Sequence, residues 1–108
     1  MNEMRLPEEF KGFWIPKEIW LNKELNMLEK VVFSEIDKLD DGLSGCWASN
    51  KYLSEYCQCS ESKITKTVKL LKEKGLIRES NFDGRHRVLR VNEGYKPKFR
   101  KPLQQNQF

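Results

Sequence analysis

A chain of 108 residues, 38% hydrophobic and 33% charged, has the size and composition of one globular domain and is too short for two separate cores. No apolar run approaches the roughly 18 residues that a membrane helix needs, and residues 1–9 hold acids where a signal peptide has lysines before a long apolar stretch. The composition therefore argues against a membrane protein, and we expect a cytoplasmic one.

The formal net charge of +4 is distributed unevenly along the chain. Residues 1–59 hold seven Lys or Arg against eleven Asp or Glu, whereas residues 60–102 hold thirteen against five. A basic half of this kind is typical of a surface that binds a polyanion, although solvated basic segments produce the same bias.

The first structural signal is a dense apolar group between Phe13 and Leu21, interrupted by Pro16. Because proline breaks a continuous helix, we predict a short extended segment followed by an irregular or one-turn piece. Residues 1–11 are interpreted as a polar amino-terminal segment, and the domain is predicted to span residues 12–92.

A helix is predicted at about residues 27–39. Asn26 and Glu29 have the spacing of a capping box, in which each side chain bonds the backbone N–H of the other residue. The pair Asp40-Asp41 and Gly42 then end the helix, and we interpret these acids as solvated. A short extended piece is expected at residues 45–47. The apolar stripe of the helix recurs at helical spacing and consists of Leu28, Val31, Val32, Ile36 and Leu39.

Two further helices follow, joined by a tight connection. Ser49 or Asn50 can cap a second helix of seven or eight residues, and Ser60 can cap a third, at about residues 60–74, that stops at Gly75. The third helix is predicted to bury Ile64, Val68 and Leu71 and to expose Lys63, Thr65, Lys66, Lys69 and Lys72.

A β-hairpin is predicted after the third helix. Two strand-like runs, residues 76–82 and 85–91, flank the dipeptide Asp83-Gly84, which is a strong signal for a tight hairpin turn. The predicted fold is therefore mainly α with a small β-hairpin: a winged helix-turn-helix with a three-helix core plus a wing. Residues 93–108 alternate basic and aromatic side chains and form a tail, a nucleic-acid arm or a linker.

Three stretches of the chain resemble a known family. They are Gly45-Cys46-Trp47-Ala48-Ser49-Asn50-Lys51-Tyr52-Leu53, the segment 60–66, and Leu71-Lys72-Glu73-Lys74-Gly75-Leu76-Ile77. Together with Trp14-Ile15-Pro16 they resemble the winged-helix amino-terminal domain of phage replisome-organiser and replication-initiation proteins of Gram-positive bacteria, relatives of DnaD-like primosomal proteins. The resemblance implies double-stranded DNA binding in phage or plasmid replication initiation, with replication proteins as partners, and places Lys63 and Lys66 towards the DNA.

Binding to duplex DNA needs cations near phosphates and short polar groups that reach base edges. We predict that the third helix is the recognition helix and enters the major groove; its lysines are otherwise solvated like those of any exposed helix. The predicted contacts on this helix are Ser62, Lys63, Thr65, Lys66 and Lys69.

The wing and the start of the second helix supply further candidates. In the wing, residues 82–87, we expect Arg85, His86 and Arg87 to contact the backbone or the minor groove; alternatively they keep an edge strand soluble. Asn50 and Lys51 bind a phosphate at the start of the second helix, or Asn50 serves only as a cap.

No combination of residues indicates an enzyme, a cofactor or a metal site. A zinc site from Cys46, Cys57, Cys59 and His86 is the sharpest metal alternative, but the spacing lacks a Cys-x-x-Cys pair. The odd number of cysteines also argues against a disulfide framework.

Two alternative functions remain open. A homodimeric transcription regulator would use the apolar segment around Phe13, Trp14 and Trp20 as its interface, and a winged helix in replisome assembly would bind proteins. All three tryptophans, Trp47 included, are expected in the core or in an interface.

Overall fold

A computed structural model of the protein describes residues 12–40, 42–81 and 86–95. The elements in chain order are α1 (Lys17–Trp20), α2 (Met27–Leu39), α3 (Asn50–Cys57), α4 (Glu61–Glu73), β1 (Ile77–Asn81), β2 (Arg87–Val91) and a 3₁₀ turn (Glu93–Tyr95). The two strands pair antiparallel, with Ile77 opposite Val91 and Asn81 opposite Arg87. The predicted fold class, three main helices with a hairpin, is confirmed.

The predicted Asp83-Gly84 turn lies outside the described residues, as do residues 1–11 and 96–108. The proposed domain limits of 12 and 92 therefore stay a prediction.

The helix starts follow from side-chain caps. The Asn26 side chain accepts a hydrogen bond from the Glu29 N–H at 2.8 Å, and Glu29 accepts one from the Asn26 N–H at 2.7 Å, which completes the predicted capping box. The Ser49 hydroxyl caps α3 by accepting from the Tyr52 N–H at 3.0 Å, and Ser60 caps α4 in the same way. Of the two residues proposed to cap α3, Ser49 therefore has this role.

The central helix is α2, which packs against α3, α4 and β2. Val32 and Ile36, both in the predicted stripe, are fully buried, but so is Phe33, which the stripe omits. Because α2 has neighbours on several sides, its burial extends beyond one face. Glu29, Ser34, Glu35 and Asp37 are buried as well.

The interpretation of Asp40 as a solvated turn residue is wrong. Asp40 is 4% exposed, and its Oδ2 accepts a hydrogen bond from the Val91 N–H at 2.8 Å. Its Oδ1 accepts from the Gly42 N–H at 3.0 Å and lies 3.9 Å from the Arg90 guanidinium. These donors replace water around the carboxylate, so Asp40 joins the end of α2 to the end of β2.

The predicted extended piece pairs with the hairpin. The Cys46 N–H and C=O both bond the backbone of Leu89, each at 2.8 Å, which adds a short bridge beside β2. Gly45 precedes it with φ of +84°, and a Cβ there would lie 2.5 Å from Val88 Cγ1. Only glycine fits this close approach, because a side chain would meet both backbone strain and a steric clash.

The placement of the tryptophans in the core is wrong. Trp14, Trp20 and Trp47 remain 59%, 48% and 43% exposed. In the one-turn helix α1, Ile19 supplies the buried side chain instead, at 1% exposure. An interface role for the tryptophans stays a prediction.

Candidate nucleic-acid interface

A tight turn between α3 and α4 fixes which face of α4 is exposed. Gln58 ends α3 in the left-handed conformation, with φ of 59°, and the Cys59 N–H donates to the Ser54 carbonyl at 3.0 Å. Ile64, Val68 and Leu71 then enter the core, as predicted, with exposures of 3% or less. The opposite side of α4 must consequently face solvent.

The amino-terminal half of α4 presents exposed lysines. Ser62, Lys63 and Lys66 are exposed. Within residues 12–40, 42–81 and 86–95, neither the Lys63 nor the Lys66 ammonium has a hydrogen bond or an ion pair. Their charge is therefore available to a ligand.

The Thr65 hydroxyl, on the same half of α4, has two internal partners. It donates to the Glu61 carbonyl at 3.0 Å and accepts from Asn50 Nδ2 at 3.1 Å. Because the Thr65 hydroxyl already donates its proton to the Glu61 carbonyl, it cannot donate to a ligand without breaking that hydrogen bond.

The carboxyl-terminal half of α4 also holds lysines, but each one has an acidic partner. The Lys72 ammonium lies 2.6 Å from Glu79 on β1, and the Lys69 ammonium lies 3.9 Å from Glu73. Lys74, just after the helix, lies 2.9 Å from the buried Glu29. Lys69, one of the predicted contacts, therefore belongs to the neutralised part of the helix.

At the start of α3, Lys51 is exposed and also paired. Its ammonium bonds Glu55 at 2.9 Å, and this hydrogen bond together with the carboxylate charge raises the pKa of Lys51. The pair lies at the helix surface, where a competing phosphate can replace the carboxylate.

Arg87 is directed inward. One guanidinium N–H donates to Asn50 Oδ1 at 2.7 Å, and another donates to the Ala48 carbonyl at 2.6 Å. Arg87 is half-buried, and this burial lowers its pKa. Asn50 in turn bonds Thr65, so the three predicted contacts Asn50, Thr65 and Arg87 form one connected network.

His86 is the other predicted wing residue in the described part of the chain. It is exposed, and its ring centroid lies 5.7 Å from that of Trp47, with a tilt of 44° between the planes. The two rings form an aromatic pair where the hairpin meets the start of α3. Arg85 lies outside the described residues.

The cysteines are not arranged as metal ligands. No group of three or more His, Cys, Asp or Glu residues in the described part of the chain is placed to hold a metal ion. Burial raises the pKa of the Cys46 thiol and raises that of Cys57 to about 12. A zinc ligand must be a thiolate, so both shifts oppose that role.

None of the helices among the described residues is long and apolar enough to cross a bilayer.

Comparison with known proteins identifies the class. Residues 23–77, half of the chain, match the helix-turn-helix domain family, and the chain belongs to this family. The matched region runs from the turn before α2 to the first residue of β1 and therefore contains the α3–α4 unit. Because the helix-turn-helix is a DNA-binding motif, the protein is a helix-turn-helix DNA-binding domain.

A solved structure supports the same fold. It is described as the "N-Terminal domain of DNA binding protein" and aligns with a TM-score of 0.57, covering 86% of this chain and 85% of that one at 21% identity. The curated proteins include no match to the chain.

Proposed function

We propose that the domain binds duplex DNA with the amino-terminal half of α4 in the major groove. The observation that supports this most directly is the pair of exposed lysines, Lys63 and Lys66, that have no partner among the described residues. They follow a tight turn on a helix whose other face is held in the core, which is where a recognition helix presents its base- and phosphate-contacting residues. Ser62 provides a short polar side chain beside them.

The hairpin and the start of α3 flank this surface. In the proposed complex, His86 and Arg85 lie along the phosphate backbone or the minor groove. Lys51 exchanges Glu55 for a phosphate when DNA is bound. The role is one of binding and not of catalysis.

The biological process that we propose is replication initiation in a phage or plasmid, with replication proteins as partners. The resemblance to phage replisome-organiser domains over residues 12–91 supports this process. Since the DNA of such an element lies in the bacterial cytoplasm, the proposal places the domain there.

The test is a titration of labelled duplex DNA at several salt concentrations with the wild type and with Lys63→Ala/Lys66→Ala. Each lost phosphate contact lowers the slope of log affinity against log salt by about 0.9, so the double variant should lose about 1.8. We expect affinity at low salt to fall by about 30-fold or more. Origin-proximal DNA and random sequence should be compared in parallel.

A matched control is Lys69→Ala/Lys72→Ala, which removes the same charge from the same helix. Because Glu73 and Glu79 already neutralise these lysines, its slope should stay within about 0.5 of the wild type. Equal losses in both double variants would mean that only overall charge matters, and equally poor binding by all three proteins would refute DNA binding.

A second candidate function is self-association, as in a dimeric regulator, or binding to another protein. The observation that favours it is the exposed apolar surface that includes Trp14, Trp20, Leu21 and Met27, each at least 48% exposed. Sedimentation of the wild type and of Trp20→Ala/Leu21→Ser, with and without DNA, tests it. A strict monomer in every condition removes the dimeric regulator.

A further inference from the structure

We propose that Asn50 and Arg87 are positioning residues that set the orientation of the hairpin relative to the recognition helix and that neither contacts DNA. This inference rests on the proposed DNA binding through α4. It separates the predicted contact residues into those that meet the ligand and those that hold them in place.

The geometry is a continuous chain of hydrogen bonds between three elements. Arg87 is the first residue of β2, and its guanidinium donates to Asn50 Oδ1 at 2.7 Å. Asn50 is the first residue of α3, and its Nδ2 donates to Thr65 Oγ1 on α4 at 3.1 Å. The Thr65 hydroxyl donates onward to the Glu61 carbonyl at 3.0 Å. The hairpin, the start of α3 and the recognition helix are thus joined through side chains.

The network leaves these side chains little capacity for a phosphate. Both polar atoms of the Asn50 amide are engaged, its oxygen by Arg87 and its nitrogen by Thr65. The Arg87 guanidinium is also held by the Ala48 carbonyl at 2.6 Å. Turning the Asn50 amide towards DNA would break two hydrogen bonds, one of them donated by the charged Arg87 guanidinium. Turning Arg87 towards DNA would break two hydrogen bonds that its guanidinium donates.

The network lies between α4 and the hairpin, and these are the two elements whose relative position it fixes. Asn50, Thr65 and Arg87 line one part of a groove between α4 and the hairpin, and Lys72 and Glu79 line another part. In the proposed complex the duplex contacts both the recognition helix and the wing, which stand on either side of this groove. The spacing between α4 and the hairpin therefore decides whether both can engage the same duplex, and the network of Arg87, Asn50 and Thr65 holds that spacing.

The decisive experiment compares Arg87→Lys, Arg87→Gln and Asn50→Ala in the salt titration of duplex DNA. Lysine keeps the charge but cannot reproduce the two-pronged bond to Asn50 and Ala48. A positioning role predicts that all three variants lose affinity about tenfold while the salt slope stays within about 0.3 of the wild type. The double variant Asn50→Ala/Arg87→Lys should be no worse than either single variant, because both break the same network.

A phosphate contact by Arg87 predicts the opposite pattern. Arg87→Gln would then lower the slope by about 0.9, and Arg87→Lys would restore most of the affinity and slope. That result, or unchanged affinity in all three variants, would overturn the inference.

A measurement on the free protein separates this inference from the proposed function. Arg87→Lys should shift the NMR signals of the Asn50 side-chain amide and of Thr65, 22 residues away in sequence, while amide signals in α1 stay in place. Absence of the Thr65 shift would refute the network whatever the DNA result. Failure of the wild type to bind duplex DNA even at low salt would instead refute the proposed function, and the positioning role with it.

Discussion

The two halves of α4 have the same composition of basic residues but different electrostatic surroundings. Lys63 and Lys66, near the start, are exposed without a partner among the described residues, whereas Lys69 and Lys72, one and two turns further on, face Glu73 and Glu79. Lys74 completes the series with its bond to buried Glu29. Within about three helical turns, the lysines change from side chains without a partner among the described residues to side chains held in ion pairs.

Whether a lysine in this series is held in an ion pair depends on which acidic residues the fold places beside it. Glu79 comes from β1 and Glu29 from α2, so the tertiary fold brings negative charge to the carboxyl-terminal end of α4, whereas Lys63 and Lys66 at the other end have no acidic partner among the described residues. A DNA backbone near the neutral end meets less attraction, which favours docking by the amino-terminal half.

The largest effect on stability is expected for Lys74, because its partner Glu29 is buried. Lys74→Ala leaves the Glu29 carboxylate, 1% exposed, without its cationic partner. Because removing one partner of a buried pair leaves an uncompensated charge, we expect the free energy of unfolding to fall by about 2–3 kcal/mol. Urea denaturation measures this. Lys72→Ala is the control: its pair is about one-third exposed at each residue, and its cost should stay below about 1 kcal/mol.

A smaller effect should appear when the neutral half of α4 is made positive. Glu79→Gln removes the partner of Lys72 without changing side-chain size, so Lys72 becomes free to attract a phosphate. We expect duplex affinity to rise about threefold at low salt and the gain to shrink as salt screens the charge. Glu18→Gln on α1 adds the same net charge far along the chain and serves as the control. An equal gain in both variants would show that location on α4 is irrelevant.

A still smaller effect is expected for Glu73→Gln. The Lys69–Glu73 pair is long, at 3.9 Å, and both side chains are more than half exposed. Such pairs contribute roughly 0–1 kcal/mol, so stability should change by less than about 0.5 kcal/mol. The affinity gain should be below that of Glu79→Gln. A larger gain would mean that Lys69, and not Lys72, lies beside the DNA.

The smallest effect concerns Lys51, whose pKa is raised by Glu55. A raised pKa in the folded state means that the stabilisation is present below the ordinary value of 10.5 and is lost as the pH rises beyond it. Glu55→Gln should return the pKa of Lys51 towards its ordinary value, which an NMR titration of the lysine side chains measures. At neutral pH the variant should unfold at nearly the wild-type urea concentration. An unchanged Lys51 pKa would contradict the ion pair.

Features that depend on nearby residues could be predicted from the sequence. The Asn26–Glu29 capping box, the caps at Ser49 and Ser60, and the inward face of α4 all follow from spacings of three or four residues. The Lys69–Glu73 pair has the same local signature, four residues apart, and could have been identified from it.

Contacts between distant segments could not be predicted in this way. Lys74 meets Glu29 across 45 positions and Asp40 meets Val91 across 51, so no periodicity indicates them. The hydrogen bond between Arg87 and Asn50 is also a contact between distant segments. The sequence predicts both residues as DNA contacts from their residue types, and only the packing of β2 against the start of α3 brings them together. Phe33 was omitted for a related reason, since a single helical stripe does not describe a helix surrounded by other elements.

The bond from Asp40 to the Val91 N–H affects how the hairpin opens. Val91 also pairs with Ile77, so separating the two strands at this end removes the donor of a carboxylate that is 4% exposed. That coupling makes local fraying costly at the base of the wing. Slow hydrogen exchange at the Val91 amide should therefore follow global unfolding and not a separate opening of the hairpin. The base of the wing and the helical core would then belong to one cooperative unit.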